Sequence, residues 1–147
     1  MRIKKVMTPN VTVVSPTTSI SEIARKMRDE DIGVTPVVEN ERLIGVITDR
    51  DIVIRVVAAE RDSATARDAM SPKLLYCFDD QSVQEVLANM GANQVRRLPV
   101  VNRDKRLVGL VSLGDLAKAA KSEAGKTLDK ISRAKSQEGS PKPPHAD

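Results

Sequence analysis

Thr48-x-x-Asp51 and Ser112-x-x-Asp115 each put a hydroxyl three residues ahead of a carboxylate at the end of an apolar run. At a strand-to-helix junction that spacing has two uses. The hydroxyl stands among the unbonded N–H groups of a helix N-terminus, an anion site that the helix dipole reinforces. The carboxylate, one turn further along, accepts hydrogen bonds from paired sugar hydroxyls. Charge-assisted bonds of this kind contribute about 1.5–3 kcal/mol each when shielded from water. The same spacing is also a helix cap, with hydroxyl and acid satisfying backbone N–H groups. The tetrapeptides alone favour the cap, and the two roles are compatible.

Other reactive groups are sparse. The single histidine, His145, lies near the C-terminus, and Cys77 is the single cysteine, with no histidine nearby in sequence. Asp79-Asp80 precedes a helix, where aspartate is common for capping and dipole reasons. No Cys/His cluster has metal-ligand spacing. These absences argue against an enzyme and against a resident metal or cofactor. A lone cysteine reads as a small buried hydrophobe and fits a reducing cytoplasm.

The elements that must position the hydroxyl–carboxylate pairs are written twice. Met7-Thr8-Pro9 recurs as Met70-Ser71-Pro72, 63 residues on, and Pro36-Val37-Val38 recurs as Pro99-Val100-Val101. One extra residue enters at 102–106, in a polar turn where an insertion is tolerated. Beyond it the offset is 64, and Leu43-Ile44-Gly45 meets Leu107-Val108-Gly109. Within each copy, Ser19-x-x-Glu22 or Ser82-x-x-Glu85 forms a capping box that opens a helix. Ile20, Ile23, Ala24 and Met27, like Val83, Val86, Leu87 and Met90, follow the spacing of one helix face. Two β-branched runs around a polar turn then predict a hairpin. A second helix starts near Asp49 or Leu113. With short early strands at Val11–Val14 and Leu74–Cys77, each copy reads β-α-β-β-α. One copy leaves a sheet face bare, so two related by a pseudo-two-fold axis are expected to pack sheet to sheet as one α+β module. The copies divide at residues 1–64 and 65–120, with 121–147 as a tail.

The duplicated order, the two Pro-Val-Val runs, and above all Gly45-Val46-Ile47-Thr48-Asp49-Arg50-Asp51 and Gly109-Leu110-Val111-Ser112-Leu113-Gly114-Asp115 resemble the CBS-domain pair, the Bateman module. The resemblance covers roughly residues 2–120. It implies an adenosine-containing ligand such as AMP, ADP or ATP, held between the repeats. Asp51 and Asp115 would hold ribose. Thr48, Ser112, Arg50, Arg96 and Arg97 would serve phosphate, with Arg55 and Lys118 as further cations. Val13, Val34, Pro36, Gly45, Tyr76, Leu98, Pro99 and Gly109 would border the base. The glycines would let base or sugar approach the backbone. Arg96 and Arg97 stand where the first copy has Gly33 and Val34, and Asp49 stands where the second has Leu113, so the two sites are expected to be unequal. The resemblance also implies a homodimer through the second helices, with Ile52, Val53, Val56, Val57, Leu116 and Ala120 as contact candidates. Its output would pass to an effector protein. An interaction module with empty clefts is the alternative.

Composition narrows the partners. The chain has 147 residues, 40% hydrophobic and 30% charged, with one Tyr, one Phe and no Trp. The core must be aliphatic, and no apolar run reaches the ~20 residues of a membrane span. Residues 1–117 carry 17 Lys/Arg and 16 Asp/Glu, whereas residues 118–147 carry 7 and 4. The net charge of +4 therefore sits mostly in the tail. Without stacking aromatics or a recognition motif, nucleic-acid binding is not expected. Residues Asp115 to about Ala134 could continue as a helix. The segment Ser136–His145 is expected to be disordered, since it holds too little apolar surface to offset its ordering entropy.

Overall fold

The computed structural model describes residues 1–71 and 73–137. A 3-10 turn at Ile3–Lys5 leads into β1 (Thr8–Pro9), α1 (Ile20–Glu30), β2 (Val34–Glu39) and β3 (Arg42–Thr48). Then come α2 (Asp49–Ile52), a π-helical continuation at Val53–Val57, and α3 (Ala66–Ala69). The second half holds β4 (Cys77–Phe78), α4 (Val83–Asn93), β5 (Arg97–Val101), β6 (Leu107–Ser112) and α5 (Leu113–Gln137). This is a mixed α+β fold of two repeats. The tail expected to lack order beyond residue 137 lies outside the described residues; its first residues, Ser136 and Gln137, end α5.

Local chemistry starts the helices where the sequence places them. The Ser19 hydroxyl accepts from the Glu22 N–H, and Ser82 with Glu85 closes a full capping box. Both helices end on a left-handed residue, Asp31 (φ 52°) and Gln94 (φ 54°), which turns the chain back toward the sheet. The early strands are shorter than the β-branched runs suggest. Only Val14 bridges Val37, in parallel, and only Cys77–Phe78 pairs with Val100–Val101. Val14 donates to the Pro36 carbonyl and accepts from Val38 N–H, so a single residue carries the pairing.

The two halves are interlocked. Ile3 is fully buried in the second core, with Val83, Val86, Met90 and Leu116. Its counterpart 63 residues on, Ala66, is fully buried in the first core, with Ile20, Ile23 and Ile47. Likewise Val83 N–H donates to Met1 O, and Ile20 N–H donates to Ala64 O. β1 pairs antiparallel with β6 (Thr8 opposite Leu110), and Ser71 N–H reaches Val46 O at 3.3 Å in the matching place. Each copy thus begins with a segment that completes the other copy's core. Burying a side chain such as Ile3 stabilises the fold by about 1.5–3 kcal/mol. Arg42 bridges Arg106, its own counterpart at the 64-residue offset, so the pseudo-two-fold axis passes between them. Glu41, 3.4 Å from Arg106, offsets the like charges there.

Candidate functional site

The crossing of β1 onto β6 creates a cleft of about 380 Å³ where the repeats meet. One wall comes from the second repeat, with Leu110, Ser112, Asp115 and Arg97. The other comes from the first, with Val11 and Thr12 of the early segment and Ile32, Gly33 and Val34 ahead of β2. Both walls meet at a strand end. Val34 pairs with Thr48, and Arg97 pairs with Ser112, so the hairpins finish where α2 and α5 begin.

Four of the residues expected at a site meet here: Val34, Arg97, Ser112 and Asp115. The Ser112 hydroxyl accepts from the Asp115 N–H at 3.1 Å, capping α5. The Asp115 carboxylate has no hydrogen-bond or ion-pair partner among the described residues, although its residue is only part-exposed. A part-buried carboxylate without a donor has lost hydration and gained nothing in return, so it favours any ligand bearing hydroxyl groups.

The matching pair in the first repeat is engaged differently. Asp51 Oδ2 accepts from Thr48 N–H at 2.9 Å, and the Thr48 hydroxyl accepts from Asp51 N–H at 3.1 Å. Asp51 Oδ1 also faces Arg55 Nε at 3.6 Å. Its carboxylate already serves as a cap. A third instance of the spacing, Thr65-x-x-Asp68, closes a capping box on α3 with no cleft beside it in the sequence reading or in the walls just described. The spacing is therefore a cap first, and tertiary surroundings decide whether it has a second use.

The other expected residues lie elsewhere. Arg50 is exposed, and its N–H donates to Asp49 Oδ1. Arg96 is exposed, with its carbonyl accepting from Leu113 N–H. Pro36, Leu98 and Pro99 are buried within their strands, Leu98 inside the second core. Val13 borders a separate groove with Thr18, Glu22 and Lys26. Tyr76 meets Phe78 edge-on at 5.6 Å and borders a smaller recess with Leu43, Leu74 and Lys105. Gly45 and Gly109 are close to protein. A Cβ at Gly45 would stand 2.6 Å from Met70 Sδ, and one at Gly109 would stand 2.7 Å from the Thr8 carbonyl oxygen and 2.8 Å from Met7 Sδ. Met7 and Thr8 of the first copy lie over Gly109 of the second, and Met70 of the second lies over Gly45 of the first.

Sequence reading missed Thr8, Asn10, Glu30, Asp31, Leu110 and Val111 as cleft residues. Thr8 and Leu110 are there because β1 crosses to the other repeat. Glu30 and Asp31 end α1, and the Thr12 hydroxyl donates to the Glu30 carboxylate, holding it at the rim.

The remaining reactive groups are quiet. Cys77 is 1% exposed, and burial, with some help from Asp79, pushes its thiol up to about 12. Among the described residues no three His, Cys, Asp or Glu side chains converge as metal ligands, and no helix is long and apolar enough to cross a membrane.

Comparison with known proteins gives the framework a lineage. The CBS domain family model matches residues 3–58 and 66–122. The CBS domain-containing protein YhcV of Bacillus subtilis is 40% identical over 133 residues, covering 88% of this chain and 94% of its own length. Hypoxic response protein 1 of Mycobacterium tuberculosis is 39% identical over 118 residues, 78% of this chain and 82% of that protein. A crystal structure of Hypoxic Response Protein I with two coordinated zinc ions superposes with a TM-score of 0.74 at 38% identity, covering 80% of this chain and 98% of that one. A crystal structure of CBSX2 in complex with AMP superposes at 0.73 with 25% identity, covering 84% and 98%.

Proposed function

The chain belongs to the CBS-domain family as a tandem pair, and from that premise we propose that it is a regulatory module, not an enzyme, that binds an adenosine-containing ligand between its repeats. The observation that carries this reading is the Asp115 carboxylate, part-buried and unpartnered in a cleft that Val11, Ile32, Val34 and Leu110 also line. Ribose hydroxyls would donate to that carboxylate. Val11, Ile32 and Val34 would flank the base. The first turn of α5, with Ser112, would face the polar end of the ligand. The cleft's volume lies at the lower end of the ~300–1,000 Å³ usual for small-molecule sites. The similarity to CBSX2, whose structure holds AMP, supports the same class of ligand.

A ligand seated there would touch both repeats and the first turn of α5. That helix leaves the cleft at Asp115 and runs to Gln137, a total length of about 37 Å at 1.5 Å per residue. Its outer half exposes Leu128 (66%) and Ile131 (49%). We infer that occupancy of the cleft biases the direction of α5 and so alters contact with an effector protein in the cytoplasm. A homodimer would form through the exposed face of the segment after α2, where Val53, Ile54 and Val57 point outward. Ile52, Val56 and Leu116 are buried within the chain and belong to its cores.

Thermal-shift measurement against adenosine, AMP, ADP, ATP and S-adenosylmethionine tests the proposal. A compound at 100 times its dissociation constant should stabilise the fold by about 2.7 kcal/mol, and Asp115→Ala should abolish that gain. Absence of a shift with every compound would leave an interaction module working through its helix faces alone.

A further inference from the structure

The pseudo-two-fold axis relates the Asp115 cleft to a second position beside Thr48 and Asp51, and the framework around the two is the same. Asp49 N–H bonds Gly33 O at 3.0 Å, as Leu113 N–H bonds Arg96 O at 2.8 Å. The β1–β6 pairing is repeated by Ser71 on Val46. The charges, however, are inverted. The Asp115 cleft is lined by the carboxylates of Glu30, Asp31 and Asp115 against one guanidinium, Arg97. Carried across by the 63- and 64-residue offsets, Glu30 becomes Asn93, Asp31 becomes Gln94 and Arg97 becomes Val34. In the same exchange Asn10 becomes Lys73, Gly33 becomes Arg96 and Val34 becomes Arg97. By sequence the mirror position therefore exchanges two carboxylates for amides and adds Lys73 and Arg96, with Arg55 beside Asp51. Asp49 deepens the contrast: its Oδ2 lies 3.2 Å from where a Gly33 Cβ would stand, against the wall of the acidic cleft.

We propose that the Asp115 cleft sorts adenosyl ligands by charge, taking a neutral or cationic adenosyl compound in preference to a phosphorylated one. The proposal rests on the adenosyl reading above and adds which ligand class the cleft accepts. Glu30 and Asp31 are its specificity-determining residues. Both side chains are exposed, so their charges act through partly screened space. A phosphate within about one Debye length of two such carboxylates should bind roughly tenfold more weakly than an uncharged group in the same place. Arg97, the guanidinium lining the cleft, cannot by itself offset three carboxylates.

Isothermal titration of the full chain with adenosine and with AMP tests this. The double substitution Glu30→Asn with Asp31→Gln installs the second copy's residues. Gln94 already occupies the same left-handed turn at φ 54°, so the fold accepts glutamine there. This variant should raise the ratio of AMP to adenosine affinity about tenfold. Asp115→Asn should weaken adenosine more than AMP. A ratio unchanged within about twofold in the exchange variant, with both compounds still bound, would overturn charge sorting and leave the adenosyl reading standing. If neither compound binds the unmodified chain, the adenosyl reading falls and charge sorting falls with it.

Discussion

Replacing Gly109 by alanine separates two explanations of a signature glycine. If the residue is small because protein occupies its Cβ position, the substitution damages the fold; if it is small to admit a ligand, the substitution damages binding. The new methyl would meet the Thr8 carbonyl oxygen at 2.7 Å and Met7 Sδ at 2.8 Å, against an ordinary contact of 3.4–4 Å. The sulfur can swing aside, but the carbonyl belongs to β1, whose Pro9 is paired opposite Gly109. Relief requires the strand to retreat by roughly 0.7 Å and loosens the crossing that joins the repeats. Overpacking of that kind costs about 1–3 kcal/mol. For a domain of this size the loss should lower the melting temperature by about 3–10 °C. Gly45→Ala should cost less, about 1 kcal/mol, since its nearest neighbour is the Met70 thioether. Gly91→Ala is the control: nothing lies within 4 Å, the site is inside α4, and removing glycine there should stabilise by about 0.5–1 kcal/mol. Circular-dichroism melts of the three variants give the order. A Gly109→Ala protein that melts with the unmodified chain yet loses adenosyl binding would refute the packing argument.

Three further outcomes are expected. Backbone hydrogen bonding by Thr65 lowers the Asp68 carboxyl, the Arg103 side chain lowers Asp80, and backbone hydrogen bonding by Ser82 lowers Glu85. Folded values below unfolded ones mean that the unfolded chain takes up protons first. Stability should therefore be level above the ordinary values of 3.8 and 4.5 and fall as pH drops through them and on through the folded values, readable from urea midpoints between pH 6 and pH 2.5. The Cys77 thiol, buried and raised to about 12, should resist iodoacetamide in the folded chain at pH 8 and react within minutes in urea; rapid labelling of the native protein would contradict its burial. Val53→Asp with Val57→Asp, at positions 57% and 65% exposed, should leave the melt within about 1 °C and convert a dimer to monomer by light scattering. An unmodified chain that is already monomeric would discard that face as a dimer contact.

Much of the fold could be read from residues within four positions of one another. Ser19 and Ser82 announce their helices, Ile20, Ile23 and Met27 with Val83, Val86 and Met90 give the buried faces although Ala24 is exposed and Leu87 half-buried, and the two Pro-Val-Val runs with their turns give the hairpins. Duplication made each reading twice, and the extra residue at 102–106 fell in a turn as expected. Capping, periodicity and turn chemistry are local forces, so one sequence carries them openly. The site was a different matter. Asp51 and Asp115 have the same spacing from their hydroxyls, yet one carboxylate is held by Thr48 N–H and Arg55 while the other faces a cleft. Val11 and Asp115 line that same cleft from opposite ends of the ordered chain, and Ile3 completes a core whose helix begins at Val83. Those pairings depend on β1 crossing to β6, a contact made across some hundred residues. Tertiary packing chose it, because each repeat alone leaves a core open that only the other's opening segment closes.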